Sequence, residues 1–564
     1  MNQNRNTMNK KKGPAKKKKV SGAQRSNWQD KLADAEKDKG QRDERAKTKF
    51  EGSRHMDVTN HPTWYFKSEA VLKDVASYSY GRPLGSDLRY WEHKTFNVDK
   101  RFVSALCTSV PGLMTINLGI LPGVSKDGQS PVNLGMQNAY TFVRYKNSGH
   151  ANYDAPDLGM YYLTMDSIYT CWNWEKRIYG EASTYSATNR YKARAYAAAE
   201  GVDYDDLCAN LCDFRAYLNM AAERISAFCV PASFTYMVRH SWLFTNIFKD
   251  ADTTKAQEYM YVPDYFYKYE EVASEKGGML SPVNVLHDYK WSPDNSTNLL
   301  KVKDLIELLN SLIDAAMMSE DIGIMSGDVL KAYERGGLFT LSPIDPDYKV
   351  EAAYDRQVLS QIENAEVWYQ DTNLASFAVT QDPDTNWILC QPQFTIGTTS
   401  INKGSYLNFH WENPTPEDVI EATRLKFATN FTVSRSYATL ESCGSEVALK
   451  CTVYFYAQSD QLNSKAADFA TQHLYCQILP SQLILQNHDI PNKRYLQEMM
   501  QQLWLWNAFD WAPAFQVAAT DAETNLDTYY WPDMWDWDVY TSLDQGDIEA
   551  MHLLALQSEF NVPN

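Results

Sequence analysis

A chain of 564 residues exceeds what one small hydrophobic core serves, and its 44% hydrophobic and 13% aromatic content excludes a wholly disordered polymer. Net charge is −17 but unevenly placed: the first 54 residues hold 17 Lys and Arg against 7 Asp and Glu, a net of +10, which leaves −27 on the remainder. Nine cysteines with no CxxC pair, and no apolar signal region after the basic start, argue against a disulfide-rich secreted scaffold and fit free thiols in a reducing compartment.

Within the first 25 residues stand nine basic side chains, Arg5, Lys10, Lys11, Lys12, Lys16, Lys17, Lys18, Lys19 and Arg25, and no acidic one. Such a block repels itself and has too little apolar surface to fold alone, so it reads as a disordered basic arm. Residues 26 to 55 mix both charges and form a solvated spacer. Order is expected from about residue 60, where Trp64, Tyr65 and Phe66 precede an amphipathic pair of turns with Val71, Leu72 and Val75 on one face. The run "FVSALCTSVPGLMTINLGILPGV" at 102 to 124 is long enough to cross a bilayer but holds Pro111, Pro122, Gly112, Gly119 and Asn117. Alternation at Met114, Ile116, Leu118 and Ile120 predicts a buried strand instead, and no membrane anchor is expected.

From about 130 to 250 the period is helical in five successive segments. In one of them Leu207, Leu211, Phe214, Leu218, Ala221 and Ile225 recur at three- and four-residue steps, behind Asp205 and Asp206 at the positive end of the helix dipole. A further helix carries Leu305, Leu309, Leu312 and Ala316 on one side, and "SGDVLKAYERGG" predicts another, capped by Ser326 and ended by Gly336. Between about 375 and 485 β-branched and aromatic residues alternate with polar ones and are broken by Gly and Asn, which predicts a β-rich module. Helical period returns in "RYLQEMMQQLWLWNAF" and "TSLDQGDIEAMHLLALQSEF". The expected fold is mainly α (α+β), a helix-rich body with a β-rich insertion and a disordered arm in front.

Chemistry-bearing motifs are absent: no phosphate-binding loop, dinucleotide fingerprint, nucleophile elbow, HExxH or Gly-Asp-Asp occurs, and none of the ten His are paired at three- to five-residue spacing. Cys208 and Cys212 lie one helical turn apart, yet no second ligand pair accompanies them, and buried thiols are the simpler reading. Asp533, Asp536 and Asp538 alternate with Trp531, Trp535 and Trp537; without a glycine turn and a terminal Glu they read as a strand or turn with one buried and one solvated side, not a cation loop. "YMYVPDYFYKYEE" at 259 to 271 fits a partner surface or a Tyr-lined core edge equally. No catalytic residue, metal or cofactor is assigned.

The arm is the remaining functional feature. Clustered lysines serve nuclear import, anionic lipid or nucleic acid. Import needs neither a spacer nor a large acidic body, and lipid binding needs a second anchor, so nucleic acid is the reading adopted. Nine phosphate contacts at roughly −0.7 each give a log-log salt slope of up to about −6 on a single strand. Lysines without interleaved aromatics argue against base reading.

Beyond this layout, "TWYFKSEAVLKDVASYSYGRPLG" (63 to 85) resembles the start of the ordered region in picobirnavirus capsid proteins, on Trp64 and Tyr65, Leu72 to Asp74, and Pro83 to Gly85. The resemblance implies a T=1 icosahedral shell built from symmetric dimers around a double-stranded RNA genome, with a helix-rich shell domain and a projecting domain from an internal segment. It also implies arm trimming by proteolysis in some members. The domains would then be the arm at 1–59, shell at 60–374, β-rich projection at 375–485 and a C-terminal helical part of the shell at 486–564. On this reading the chain pairs with itself, encloses viral RNA, is assembled in the host cytoplasm and resides in the virion. The alternatives are a nuclear or cytosolic nucleic-acid-binding scaffold and, less simply, an enzyme whose site is assembled from distant residues.

Overall fold

The computed structural model describes residues 112–562, apart from internal stretches of which 286–298, 455–474 and 487–505 are the longest, and only positions 68 and 70 before them. Contacts divide the chain into Met1–Tyr78 and Ser79–Asn564, and every element below belongs to the second unit.

Strand β1 (Leu113–Ile120) opens the described body, and all eight of its residues are buried. The alternation read from Met114 to Ile120 therefore does not divide a wet face from a dry one, because β1 is the middle strand of a sheet. Six helices follow: α1 (Pro131–Lys146), α2 (Ala155–Ala182), α3 (Lys192–Ala199), α4 (Tyr204–Ala209), α5 (Leu211–Ile225) and α6 (Thr235–Thr245). The segment read as one helix breaks at Asn210 into α4 and α5; Asp203 starts α4 by accepting from the Asp205 and Asp206 backbone N–H groups, 3.0 and 3.2 Å away.

Helix α2 is the axis of the body. Every residue over 158–175 is buried, the pattern of a helix surrounded on all sides. Two of its bulky members find polar partners there: Trp172 Nε1 donates to Leu218 O at 2.9 Å, and the Tyr161 hydroxyl to Cys229 O at 2.8 Å.

After α6 come β2 (Phe248–Lys249), β3 (Glu258–Pro263), β4 (Tyr265–Glu271) and β5 (Gly278–Asn284). Tyr259, Tyr261, Tyr265 and Tyr267 are all buried, so the tyrosine-rich stretch is core. Helices α7 (Val302–Met317), α8 (Glu320–Tyr333) and α9 (Arg356–Glu363) complete the helical layer. In α7 the buried side is Leu305, Leu309, Leu312 and Ala316, as its period predicts. In α8 the cap is Ser319 rather than Ser326. Ser326 instead lies within the helix, where its hydroxyl accepts from Cys229 N–H at 2.9 Å and donates to Ala227 O at 3.1 Å.

The β-rich stretch supplies β6 (Val379–Gln381), β7 (Ile388–Leu389), β8 (Gln393–Thr395), β9 (Tyr406–Phe409), α10 (Pro416–Ala422), β10 (Phe427–Phe431), β11 (Tyr437–Cys443), β12 (Glu446–Tyr454), β13 (Tyr475–Cys476) and β14 (Leu483–Gln486). The chain closes with β15 (Val517–Thr520), β16 (Thr528–Tyr530), β17 (Val539–Ser542) and α11 (Gln545–Glu559). Among the described residues five small sheets result, and the largest runs β13-β12-β1-β3-β2. Within it β1 pairs antiparallel with β12, Leu113 opposite Tyr454, and parallel with β3, Leu113 opposite Glu258. Parallel neighbours need a long crossover, and α1 to α6 form it. The other sheets run β4-β5-β6-β7, β10-β11-β8, β14-β15-β16 and β17-β9. Strands of the 375–485 stretch thus bond to strands on both sides of it in the chain. Phe377, Val379, Phe394 and Leu440 share one apolar cluster with Met165 and Trp172 of α2. The fold is helix-rich with several small sheets, the class expected.

Candidate functional site

The nine basic arm residues lie outside the described residues, as do Asp533, Asp536 and their three tryptophans. Asp538 is described: its carboxylate lies 2.6 Å from His410 Nδ1, and the other ring nitrogen lies 3.3 Å from Glu363. Cys208 and Cys212 are exposed free thiols rather than buried ones, and among the described residues no group of His, Cys, Asp and Glu could hold a metal.

What the body holds instead is a largely buried network of opposite charges where α2, α6, β12, α10 and α11 converge. Helix α6 contributes neighbours with different duties. Arg239 Nε donates to Glu446 Oε1 at 2.5 Å, and its Nη2 reaches Gln361 of α9 at 3.2 Å. The fully buried ring of His240 places Nδ1 2.9 Å from Asp166 of α2 and Nε2 3.4 Å from Glu446, the first residue of β12. Burial alone would lower His240, but Asp166 and Glu446 outweigh it and push the imidazole up to about 9. It is therefore an imidazolium at neutral pH.

Arg424, at the end of the α10 turn, donates through Nη2 to Ser445 Oγ at 2.8 Å and to the Glu559 carboxylate of α11, and sits 3.4 Å from Glu446. Burial would raise Glu446, yet Arg239 and Arg424 hold its carboxyl well below the usual range. Arg239, Arg424 and His240 thus face Asp166, Glu446 and Glu559, and burial raises the Asp166 carboxyl despite the His240 beside it. A mostly buried cluster of six ionisable groups is tolerable because its members are paired and hydrogen-bonded to one another. Its chemistry is cohesion: it ties the last helix and the β-rich stretch to the axial helix. Sequence reasoning missed it because its carboxylates, Asp166, Glu446 and Glu559, come from three distant elements.

A second network surrounds Arg177 of α2. Its Nε donates to Glu200 at 2.8 Å and its Nη2 to Tyr261 O at 2.6 Å, while Trp174 Nε1 reaches the other Glu200 oxygen at 2.7 Å.

A family model described as Picobirnavirus, Capsid protein matches residues 64–521. The chain belongs to the picobirnavirus capsid protein family. A capsid protein precursor of Human picobirnavirus (strain Human/Thailand/Hy005102/-) is 31% identical over 537 residues, which cover 89% of this chain and 91% of that one. The fold is similar to the X-ray crystallographic structure of the picobirnavirus capsid, with a TM-score of 0.66 and 23% identity over 88% of this chain and 98% of the other. Picobirnavirus capsid proteins form the virus shell and are structural proteins rather than enzymes, and the paired charges of the two networks suit that role. Among the described residues of this capsid protein, no helix is long and apolar enough to cross a membrane.

Proposed function

We propose that this capsid protein dimerises and closes into an icosahedral shell, and that its basic arm holds the RNA genome inside without reading sequence. The observation that carries the proposal is the charge partition, nine basic and no acidic residues in the first 25 against −27 on the body. A body of that charge repels phosphate, so the cationic arm is the part suited to neutralise it. Lys10 to Lys12, Lys16 to Lys19, Arg5 and Arg25 are the assigned contacts. Assembly belongs to the body, where Met220, Met317 and Met318 stand exposed on α5 and at the end of α7, with Arg224 bonded between them to Asp314. On this reading the arm is 1–59, the shell 60–374 with 486–564, and the β-rich projecting domain 375–485. Assembly takes place in the host cytoplasm.

Removing residues 1–55 tests the division of labour. Particles of normal diameter with far less RNA are expected by electron microscopy and phosphate assay; failure to assemble without the arm overturns it.

A further inference from the structure

The buried side of α11 reads Ile548, His552, Leu556 and Glu559, so two of its four anchors are titratable. His552 is 1% exposed, with Nδ1 2.9 Å from Ser442 Oγ on β11 and Nε2 3.1 Å from the Thr423 carbonyl oxygen. A carbonyl only accepts, so Nε2 carries the hydrogen and Nδ1 accepts from the serine hydroxyl. The neutral ring satisfies both contacts with one proton. A second proton would place a cation in a dry site beside Arg424.

The other charged groups around this side are Arg239 and His240 of α6, Glu446 of β12, Glu441 of β11, which pairs with Lys126, Glu421 of α10, the buried Lys426 beyond α10, and Glu559 of α11 itself. The part of α1 that meets the end of α11, near Gly135 and Asn138, carries no charge.

We propose that α11 is an acid-released clamp: protonation of His552 beside Arg424 frees the C-terminal helix while the axial helix below it stays folded. The two buried histidines answer acid differently. His240, pushed up to about 9 between two carboxylates, already carries its proton, so acidification through the weakly acidic range adds none to its ring. Burial, with Arg424, pushes His552 down to about 4 from an ordinary 6.5. Its depressed value means that its stabilising contribution is complete above about pH 6.5 and is lost as pH falls toward about 4. Release turns Ile548, Leu556 and Phe560, buried at neutral pH, toward solvent.

Hydrogen–deuterium exchange of the full-length protein, corrected for intrinsic rates and stepped from neutral to acidic pH, reads the clamp directly. Residues 545–560 should lose protection at a midpoint between about pH 6.5 and 4 while 155–182 remain protected. His552→Gln should lower that midpoint by about one pH unit or more. Glu559→Gln, which removes the carboxylate offsetting Arg424, should raise it. Simultaneous loss in both segments, or release of His552→Gln at the unmodified pH, overturns the proposal. If His552→Gln does not fold, an unchanged midpoint in Glu559→Gln overturns it equally.

Discussion

Arg177 has no exposed side-chain surface, and the two carboxylates near it do not share its charge equally. Glu200 accepts from the guanidinium and from Trp174, whereas Glu181 lies 3.4 Å from Arg177 Nε. Burial raises both carboxyls, but the Glu200 charge pushes Glu181 well above the usual range, whereas Arg177 and Trp174 offset the rise at Glu200, which makes Glu200 the better counter-ion. Glu200→Gln should therefore strand a buried cation and cost about 3–5 kcal/mol, while Glu181→Gln should cost less than about 1 kcal/mol. Urea unfolding of both variants at neutral pH measures the contrast, and equal losses would contradict it. None of this is legible from residue order, since a Glu at 181 and a Glu at 200 look alike until the Trp174 and Arg177 N–H groups fix which one is solvated by protein.

At the scale of elements, one glycine sets how closely α11 docks. A methyl group added to Gly135 of α1 would lie 2.5 Å from Phe560 Cβ and 2.6 Å from its carbonyl oxygen, which leaves no flexible atom to yield. Gly135→Ala should cost about 1–3 kcal/mol, with exchange protection lost first over 545–560; uniform loss across the body would contradict the docking role. Helices with one apolar stripe were readable in the sequence, as α7 and its Leu305 to Ala316 side demonstrate. Ends were less so: Ser319 is followed by Glu320 and Asp321 and begins α8, but an uninterrupted apolar period carries across Met317 and Met318 and hides the break. Pairing was not readable at all. Alternation identifies β1 as a strand, but its partners β12 and β3 lie hundreds and scores of residues away, and only tertiary packing selects them.

For the whole molecule the decisive contrast is electrostatic. On the proposed reading, a body of −27 would keep nucleic acid off the shell walls unless something of opposite sign reached across, and the first 54 residues carry +10. This partition was visible in the sequence because charge needs no fold to be counted, whereas the internal networks that brace the shell subunit needed coordinates. RNA mass per particle, in an otherwise intact chain with all nine arm cations replaced by Gln, addresses that contrast directly. Particles of unchanged diameter with a several-fold lower phosphate-to-protein ratio are the expected result. An unchanged ratio would contradict the assignment of RNA holding to the arm.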